Sequence, residues 1–474
     1  MPSASSSRTT WLALLIAATF FMENLDGTVI TTAVPDIARS FGIRPVDLDI
    51  GVSAYLLTLG IFIPVSGWVA DRFGSRRVFA SAIVLFTIAS LLCGAADGLW
   101  EFVGLRALQG IGGALMVPVG RLVVLRSTPK DKLIDVIALL TWPALVAPVL
   151  GPPIGGWITT TLSWRWIFYL NLPLGIIALG FAWWLVPDER GSEPRRFDWT
   201  GFFLSGIGIA SLLFACERLG GQEVDAVEVL VLAAIGMALL LLAFLHFRRS
   251  AHPMIDLHGF TVPTFAVTVT GGSMFRVAIG SLPFLLPLMF QVGFGLDAFH
   301  SGLLLVAVFA GNLMMKPGTG WVLRRFGFRQ VLIWNGLINA ASIAACALFT
   351  PATPIAAMVV VLFIGGLSRS MQFTALNTIA FADIAQPRMN GANTLFSTAL
   401  QVSLGLGIAA GAISVRLGSA LSGWIGIADE PAIAFRLAFV LIAGVALAGG
   451  LYSNRLASDA GSQLARRRPV RSAA

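Results

Sequence analysis

Long apolar runs, separated by short polar or charged stretches, follow one another along the whole chain. A helix needs about 20 apolar residues to cross the hydrocarbon core of a bilayer, and fourteen runs meet or approach that length. They lie near residues 11–34, 48–70, 78–96, 101–124, 135–159, 164–186, 198–216, 227–247, 263–291, 299–322, 329–349, 353–377, 393–415 and 432–454. The pattern predicts an all-α membrane protein with fourteen transmembrane helices.

The composition indicates that lipid is the solvent for much of the surface. Of 474 residues, 57% are apolar and 12% are charged, whereas soluble domains carry about 25% charged residues. The three cysteines, Cys93, Cys216 and Cys346, lie far apart within apolar runs, so no disulfide framework or metal-binding spacing is predicted. The net charge of +8 does not by itself indicate nucleic-acid binding.

The basic residues alternate between the loops on the two sides of the predicted spans. If both termini are cytoplasmic, the inside segments hold 21 Lys and Arg residues and the outside segments hold six. Because cytoplasmic loops carry an excess of Lys and Arg, this bias predicts a multi-pass protein with both termini in the cytoplasm. One missed helix would scramble the alternation, so the bias also supports the predicted number of spans.

A short segment occurs twice at a fixed spacing. Residues 67–76 and 320–329 are identical at seven of ten positions, with an offset of 253. Such self-similarity indicates duplication, and many transporters consist of two related halves that move around a central site. Removing the runs at 198–247 leaves six runs on each side. We therefore predict a six-helix bundle at 1–190, two inserted helices at 191–258, a second six-helix bundle at 259–456 and a basic tail at 457–474.

The repeated segment is predicted to form a gating loop on the cytoplasmic side. Its glycines allow a tight turn, and a carboxylate there can pair with an arginine or cap a helix of the opposing half. The alternative is that the basic residues only anchor the loop at the membrane surface. The candidate gating residues are Gly67, Asp71, Arg72, Gly74, Arg76 and Arg77, with Arg325, Gly327 and Arg329 in the second copy, where Arg324 replaces the aspartate.

The gating loop resembles the signature loop of the major facilitator superfamily, and other segments agree. Arg106-x-x-Gln109-Gly110-x-x-Gly113 looks like the buried-arginine motif of that family, and Gly151-Pro152-x-x-Gly155-Gly156 looks like its antiporter motif. Leu25-Asp26-x-Thr28-Val29 and Trp164-Arg165-Trp166-Ile167-Phe168 are similar to the fourteen-helix drug:proton antiporters of the EmrB/QacA type. Within these, Val117-Pro118-Val119-Gly120-Arg121-Leu122 and Gln291-Val292-Gly293-Phe294-Gly295 resemble MdtD-like proteins.

The resemblance implies the major facilitator fold, with 14 transmembrane helices in two pseudo-symmetric six-helix bundles, in the inner membrane of a bacterium. It associates Gly151, Pro152, Gly155 and Gly156 with export, although generic helix packing is the alternative. Ala138 and Ala147 stand where the antiporter motif often has glycine.

Seven ionisable residues fall inside predicted spans. They are Glu23, Asp26, Arg106, Arg121, Arg276, Lys316 and Arg369. A charge at the bilayer centre costs at least about 2.5–3.5 kcal/mol, so we expect these side chains to face one another in a water-accessible chamber.

Glu23 and Asp26 are three residues apart and therefore share one face of a helix. Two such carboxylates in a partly dry site are suited to taking up and releasing protons as a coupled pair. We predict proton coupling at Asp26, Glu23 and Arg106. The alternative is that Asp26 pairs with Arg106 and only stabilises the bundle.

The candidate substrate-cavity residues are Gln109, Arg276, Gln291, Lys316, Arg369 and Gln372. Five basic residues against two acids favour a substrate with some negative charge, although the two carboxylates could instead serve cationic drugs. For each amide side chain, hydrogen bonding between helices is the alternative role.

These observations predict proton-coupled secondary active efflux of a small molecule by alternating access. The alternatives are a proton symporter or facilitator importer on the same fold, and a non-transporting membrane sensor. No catalytic constellation, phosphate loop or metal cluster is visible, so we predict neither an enzyme nor a cofactor. The expected partners are substrate, protons and lipid, without nucleic acid. We expect the protein to work as a monomer, with a periplasmic adaptor as an optional protein partner.

Overall fold

A computed structural model of the chain describes residues 4–43, 48–188, 196–220, 225–296, 298–424 and 431–465. Within these ranges the secondary structure is helical, without strands. Residues 466–474 of the predicted basic tail lie outside the described residues, as do Arg190 at the end of the predicted first bundle and Arg195 of the predicted inserted segment.

The described residues 4–43 and 48–188 form one group of mutually packed helices. They comprise α1 (Ala4–Phe41), α2 (Asp49–Phe62), α3 (Ser66–Phe73), α4 (Ser75–Ala95), α5 (Leu99–Ser127), α6 (Leu133–Thr161), α7 (Trp166–Tyr169) and α8 (Asn171–Leu185). A 3₁₀ turn at Ile63–Val65, which contains Pro64, joins α2 to α3. Helix α1 packs on α5, α6 and α8, and α4 packs on α5 and α8. Charged groups of α1 and α5 therefore meet inside this group.

Two further helices, α9 (Trp199–Gly220) and α10 (Ala226–Arg249), pack against each other. The Asp225 carboxylate caps α10 by accepting hydrogen bonds from the backbone N–H groups of Val227 and Glu228. Before α9, the Asp198 carboxylate accepts from the N–H of Met254 at 3.1 Å and lies 2.8 Å from His246 Nε2. Asp198 thus connects the start of α9 to the end of α10 and to the segment that follows it.

The rest of the chain forms a second group of packed helices. They are α11 (Pro263–Leu288), α12 (Ala298–Met314), α13 (Lys316–Phe326), α14 (Phe328–Cys346), α15 (Ile355–Ile379), α16 (Met389–Trp424), α17 (Pro431–Tyr452) and the short α18 (Ser462–Ala465). Helix α11 packs on α16 and α17, and α12 packs on α15. Helix α9 contacts both α2 and α16, so the inserted pair touches both groups.

The repeat extends to the backbone. Gly74, between α3 and α4, has φ 92°, and Gly327, between α13 and α14, has φ 76°. Positive φ is open to glycine at little cost and disfavoured for other residues, which explains why both copies of the loop keep glycine there. We call the side of the molecule that holds these two turns the gate-loop end.

Ten described helices are long and apolar enough to cross a membrane. Helices α12 and α13, bent by 52° at their junction, would together make an eleventh, and the apolar part of α9, Trp199–Ala215, is shorter. Each apolar run predicted above coincides with helical residues over most of its length, and the chain is a multi-pass helical membrane protein. The number fourteen is not confirmed and stays a prediction, as do the boundaries of the bundles.

Candidate functional site

The predicted pair Asp26 and Arg106 forms a buried ion pair. Arg106 Nη1 lies 2.7 Å from Asp26 Oδ2, and both side chains are at most 1% exposed. Gln109 Nε2 donates to Asp26 Oδ1 at 2.9 Å, and Asn171 Nδ2 donates to the same oxygen at 2.8 Å. Because Arg106 and Gln109 stand one turn apart on α5, both reach the carboxylate on α1.

The surroundings of this network fix its orientation. Asn171 Nδ2 also donates to Ser90 Oγ at 2.9 Å, and the Ser90 hydroxyl donates to the carbonyl of Phe168 at 3.0 Å. The Arg106 guanidinium lies 4.3 Å from the centre of the Tyr55 ring. Ser90 and Tyr55 are not among the site residues predicted from the sequence. A tyrosine within an apolar run, in a chain with three tyrosines, was the available signal for Tyr55.

Glu23 lies one turn before Asp26 on α1 but outside the hydrogen-bonded network. Its Oε2 atom is buried without a hydrogen-bond partner among the described residues, and the same holds for the Tyr55 hydroxyl. Gly113 of α5 makes room for both groups, since a Cβ there would lie 3.3 Å from the Tyr55 hydroxyl and 3.6 Å from Glu23 Cδ. The structure therefore gives the two carboxylates different surroundings. Asp26 accepts three hydrogen bonds, whereas Glu23 Oε2 accepts none from the described residues.

A second cluster of charges joins the two helix groups. Arg276 of α11 places its guanidinium carbon 4.7 Å from the centre of the Phe396 ring, and Arg121 of α5 lies 5.6 Å from the same ring. Arg121 also faces Phe20 of α1 at 5.8 Å and donates to Ser397 Oγ at 3.4 Å. Phe396 thus lies between one arginine from each group.

The other predicted cavity residues do not converge on one chamber. Gln109 belongs to the Asp26 network, and Gln372 accepts a hydrogen bond from Asn335 Nδ2 at 2.9 Å. Each amide therefore makes a hydrogen bond between helices, which is the alternative role given above. Gln291 is exposed in the π-helical turn Met289–Gly293 after α11, at the end opposite the gate loops. These amides satisfy neighbouring polar groups, which buried amides must do.

The two remaining basic residues lie in separate places within the second group. Lys316 is 8% exposed at the junction of α12 and α13, where Nζ donates to Thr374 Oγ1 at 2.8 Å. Arg369 lines a small cavity between α11, α12, α14 and α15, together with Asn339 and Ser342. The expectation of one chamber shared by all seven charges is therefore wrong for Lys316 and Arg369.

The first gating loop makes contacts of two kinds. Asp71 pairs with Arg126 of α5 at 3.4 Å, within the same helix group, rather than with the opposing group. The Gly67 carbonyl instead makes the contact across the groups, by accepting from Asn390 Nδ2 of α16 at 2.8 Å. A Cβ at Gly67 would collide with the Thr394 hydroxyl, so glycine permits this close approach.

The other gating residues hold the loops in place. Arg76 Nε donates to the carbonyl of Val186 at 2.6 Å, and Arg329 Nη2 donates to that of Asn454 at 3.3 Å. Arg324, which replaces the aspartate in the second copy, pairs across the groups with Asp135 of α6 at 3.0 Å. The remaining predicted arginines of the loops are exposed: Arg72, Arg77 and Arg325.

Further hydrogen bonds close the gate-loop end between the two helix groups. Asn393 Nδ2 donates to the carbonyl of Pro118 at 2.9 Å, and Lys130 Nζ donates to that of Ala382 at 2.7 Å. With the Gly67–Asn390 and Arg324–Asp135 contacts, these bonds join α3, α5, α6 and the turn before α6 to α13, α16 and the turn after α15. The structure is therefore closed at the gate-loop end.

The glycines of the predicted antiporter motif serve the contact between α1 and α6. A Cβ at Gly151 would collide with the Thr28 hydroxyl, and a Cβ at Gly155 would collide with the Thr32 hydroxyl. Gly156 has no atom within 4 Å of its Cβ position. The side chain of Pro152 lies outside the described residues. Small residues thus bring the two helices into close contact at two of the four positions.

Two groups of membrane-crossing helices, each with one copy of the repeated loop, and a buried ion pair in the first group are typical of a polytopic membrane transporter. The comparison with known sequences agrees, since the family profile described as Major Facilitator Superfamily matches residues 16–408. The chain belongs to this superfamily.

Curated relatives fall in the subgroup that the motifs indicated. The chain is 37% identical over 398 residues to the "Putative multidrug resistance protein MdtD" of Pectobacterium atrosepticum, covering 84% of this chain and 85% of the relative. A protein of the same name from Klebsiella pneumoniae is 34% identical over 466 residues, covering 98% of each chain. The resemblance to MdtD-like proteins of the superfamily is therefore confirmed.

Solved structures share the fold. The human organic anion transporter MFSD10 aligns with a TM-score of 0.64 at 13% identity, over 96% of this chain and 100% of that one. The proton:xylose symporter XylE aligns with a TM-score of 0.61 at 15% identity, over 94% and 95%. At these identities the likeness shows the major facilitator fold alone.

Proposed function

We propose that this protein exports a small molecule across the bacterial inner membrane in exchange for protons, by alternating access between two six-helix bundles with two inserted helices. In this proposal all fourteen helical runs cross the membrane, and both termini lie in the cytoplasm. The proton gradient drives the cycle without a cofactor, and the protein works as a monomer, with a periplasmic adaptor as an optional partner.

The observation that carries the proposal is the buried Asp26–Arg106 pair with its two amide donors. While Asp26 is ionised, its charge balances that of Arg106, and its carboxylate oxygens accept three hydrogen bonds. A proton on Asp26 removes that balance in a site where an unpaired charge is costly. Protonation would therefore favour a different packing of α1 against α5 and α8, which is how a proton can bias a conformational equilibrium.

The charge distribution supports the proposed orientation. The excess of Lys and Arg in alternate loops supports a cytoplasmic position for the gate-loop end. Because the cross-group bonds close that end, we assign the structure to the stage of the cycle that is shut toward the cytoplasm.

Export is supported by the α1–α6 contact at Gly151 and Gly155, which matches the motif of the exporting members of the family, and by the multidrug-resistance names of the relatives. A symporter would use the same fold, so the direction of proton movement decides between the two. In proteoliposomes, the proposal requires substrate and protons to move in opposite directions.

The test uses a compound that a deletion strain fails to tolerate, found by growth profiling against drugs and organic acids. We expect Asp26→Asn to lower uphill export of that compound at least tenfold in everted vesicles, because the amide cannot take up and release a proton at this site. Asp36→Asn is the matched control, since Asp36 lies on the same helix and pairs with Arg39 near the surface. If Asp26→Asn exports against a gradient like the wild type, Asp26 does not couple protons to transport.

A further inference from the structure

Arg276 is a buried charge that lacks a partner. The residue is 1% exposed, and none of its three guanidinium nitrogens has a hydrogen-bond partner among the described residues. Buried charges in proteins are nearly always paired, because an uncompensated one is strongly destabilising. The buried Arg276 guanidinium therefore lacks an anion to balance its charge among the described residues.

The charges around Arg276 make this deficit larger. Arg121 carries the same charge as Arg276 and repels it electrostatically. Glu23 acts on Arg121 from the side of α1, but no ion pair within 4.0 Å joins Glu23 to either arginine. The junction between the helix groups thus carries two guanidinium groups and one acid that pairs with neither of them.

The two arginines are placed to act together. They approach Phe396 at 4.7 and 5.6 Å, and they come from different halves of the molecule, α11 and α5. Phe20 of α1 adds a second ring beside Arg121. Guanidinium groups bind planar carboxylates and phosphates through paired hydrogen bonds, and the rings offer an apolar surface next to that charge.

We propose that Arg276 and Arg121 form an anion subsite that binds a carboxylate or phosphate group of the transported molecule, with its apolar part against Phe396 and Phe20. That the bound molecule is cargo rests on the proposed function, whereas the binding itself does not. Such a ligand bridges the two helix groups, which is the position that alternating access requires.

An anionic cargo agrees with export driven by protons. The membrane potential, negative inside, favours the outward movement of an anion as well as the inward movement of a proton. A proton on Glu23 would favour a bound anion rather than compete with it, because it removes a negative charge near Arg121. The proposal therefore assigns proton exchange to Asp26, whose hydrogen-bonded network is separate from the subsite.

The test measures binding to the purified full-length protein with two aromatic probes of similar size and opposite charge, benzoate and benzylamine. We expect the wild type to bind benzoate at least tenfold more tightly than benzylamine. Arg276→Gln and Arg121→Gln should each weaken benzoate binding at least tenfold, while Arg276→Lys, which keeps the charge but not the paired donors, should weaken it less than Arg276→Gln does. Arg39→Gln changes an arginine that is exposed at the far end of α1 and should have no effect.

A second measurement separates a binding role from a structural one. Because Arg276 is unpaired without ligand, Arg276→Gln should leave the melting temperature of the ligand-free protein unchanged or raise it, and should abolish the stabilisation by benzoate. A lower melting temperature for Arg276→Gln, or equal benzoate binding by the variant and the wild type, would overturn the proposal. So would a wild type that prefers benzylamine or binds the two probes equally. Failure of proton exchange in vesicles would leave these binding results standing, so the two proposals fail separately.

Discussion

The side chains around Asp26 show how a membrane protein stabilises a charge that the bilayer would exclude. Arg106 supplies the counter-charge, and Gln109 and Asn171 supply the remaining donors for Oδ1. Ionised groups make shorter and stronger hydrogen bonds than neutral ones, so the four residues act as one unit. The contribution of each member therefore depends on whether the others are present.

This interdependence is testable with a double-mutant cycle. Arg106→Gln alone leaves the Asp26 carboxylate buried without its counter-charge, which should destabilise the protein by about 3–5 kcal/mol. Adding Asp26→Asn to Arg106→Gln should recover most of that loss, because the neutral amides can bond to each other. Thermal unfolding of the purified variants measures both values. Additive effects of the two changes would mean that the pair does not act as a unit.

Residue chemistry also explains what sequence reasoning could assign here. Asp26 and Arg106 were recognisable because charges within apolar runs are costly and must find partners. Gln109 and Gln372 were placed in the substrate cavity, yet they bond between helices. An amide can orient a ligand or a neighbouring helix equally well, and the difference depends on contacts far away in the chain.

At the scale of helices, the contact of α1 with α6 depends on the absence of side chains. Gly151 and Gly155 face the hydroxyl groups of Thr28 and Thr32 one turn apart, so the two backbones approach closely. In lipid, such close packing replaces the hydrophobic driving force between helices. The glycine spacing was readable from the sequence, whereas the partner helix was not.

A pair of substitutions on α6 tests this contact. Gly155→Val should force α1 and α6 apart, because the added atoms would collide with Thr32 and with the Val29 carbonyl, and overpacking of this kind costs about 1–3 kcal/mol. We expect a lower melting temperature and reduced transport. Gly156→Val adds the same atoms on the same helix where no neighbour lies within 4 Å, and should have little effect. Equal effects of the two variants would contradict the assigned contact.

At the scale of the whole molecule, the gate-loop end is held by contacts that the repeat alone did not predict. Asp71 stays within its own helix group, and the opposing groups are joined by the Gly67 carbonyl, by Lys130 and by the Arg324–Asp135 pair. In the second copy an arginine therefore takes over a cross-group contact. The two loops have the same backbone turn and different chemistry.

The Arg324–Asp135 pair can be reversed. Asp135→Arg should place two like charges at the closed end and shift the equilibrium toward opening there, and Asp135→Arg with Arg324→Asp should restore closure. The pair is partly exposed, so the shift corresponds to about 0.2–1 kcal/mol. Hydrogen–deuterium exchange of α13 measures it.

A matched control uses the ion pair at the opposite end. Arg165 and Asp97 are 3.0 Å apart within the first helix group, so Asp97→Arg should leave exchange in α13 unchanged. Faster exchange in both single variants would show a general loss of stability instead of a local gate.

The all-helical membrane class, the repeated loop and the superfamily are readable from the sequence, which offered the Asp26–Arg106 pair as the alternative to proton coupling. These follow from local or pairwise rules: apolar length, glycine where φ is positive, and the cost of a charge in lipid. The tertiary structure is needed to show which buried polar groups bond between helices, which group each gating residue contacts, and that the Arg276 guanidinium has no hydrogen-bond partner among the described residues. Those outcomes depend on which helices become neighbours, and helix neighbours are set by packing over the whole chain rather than by any single segment.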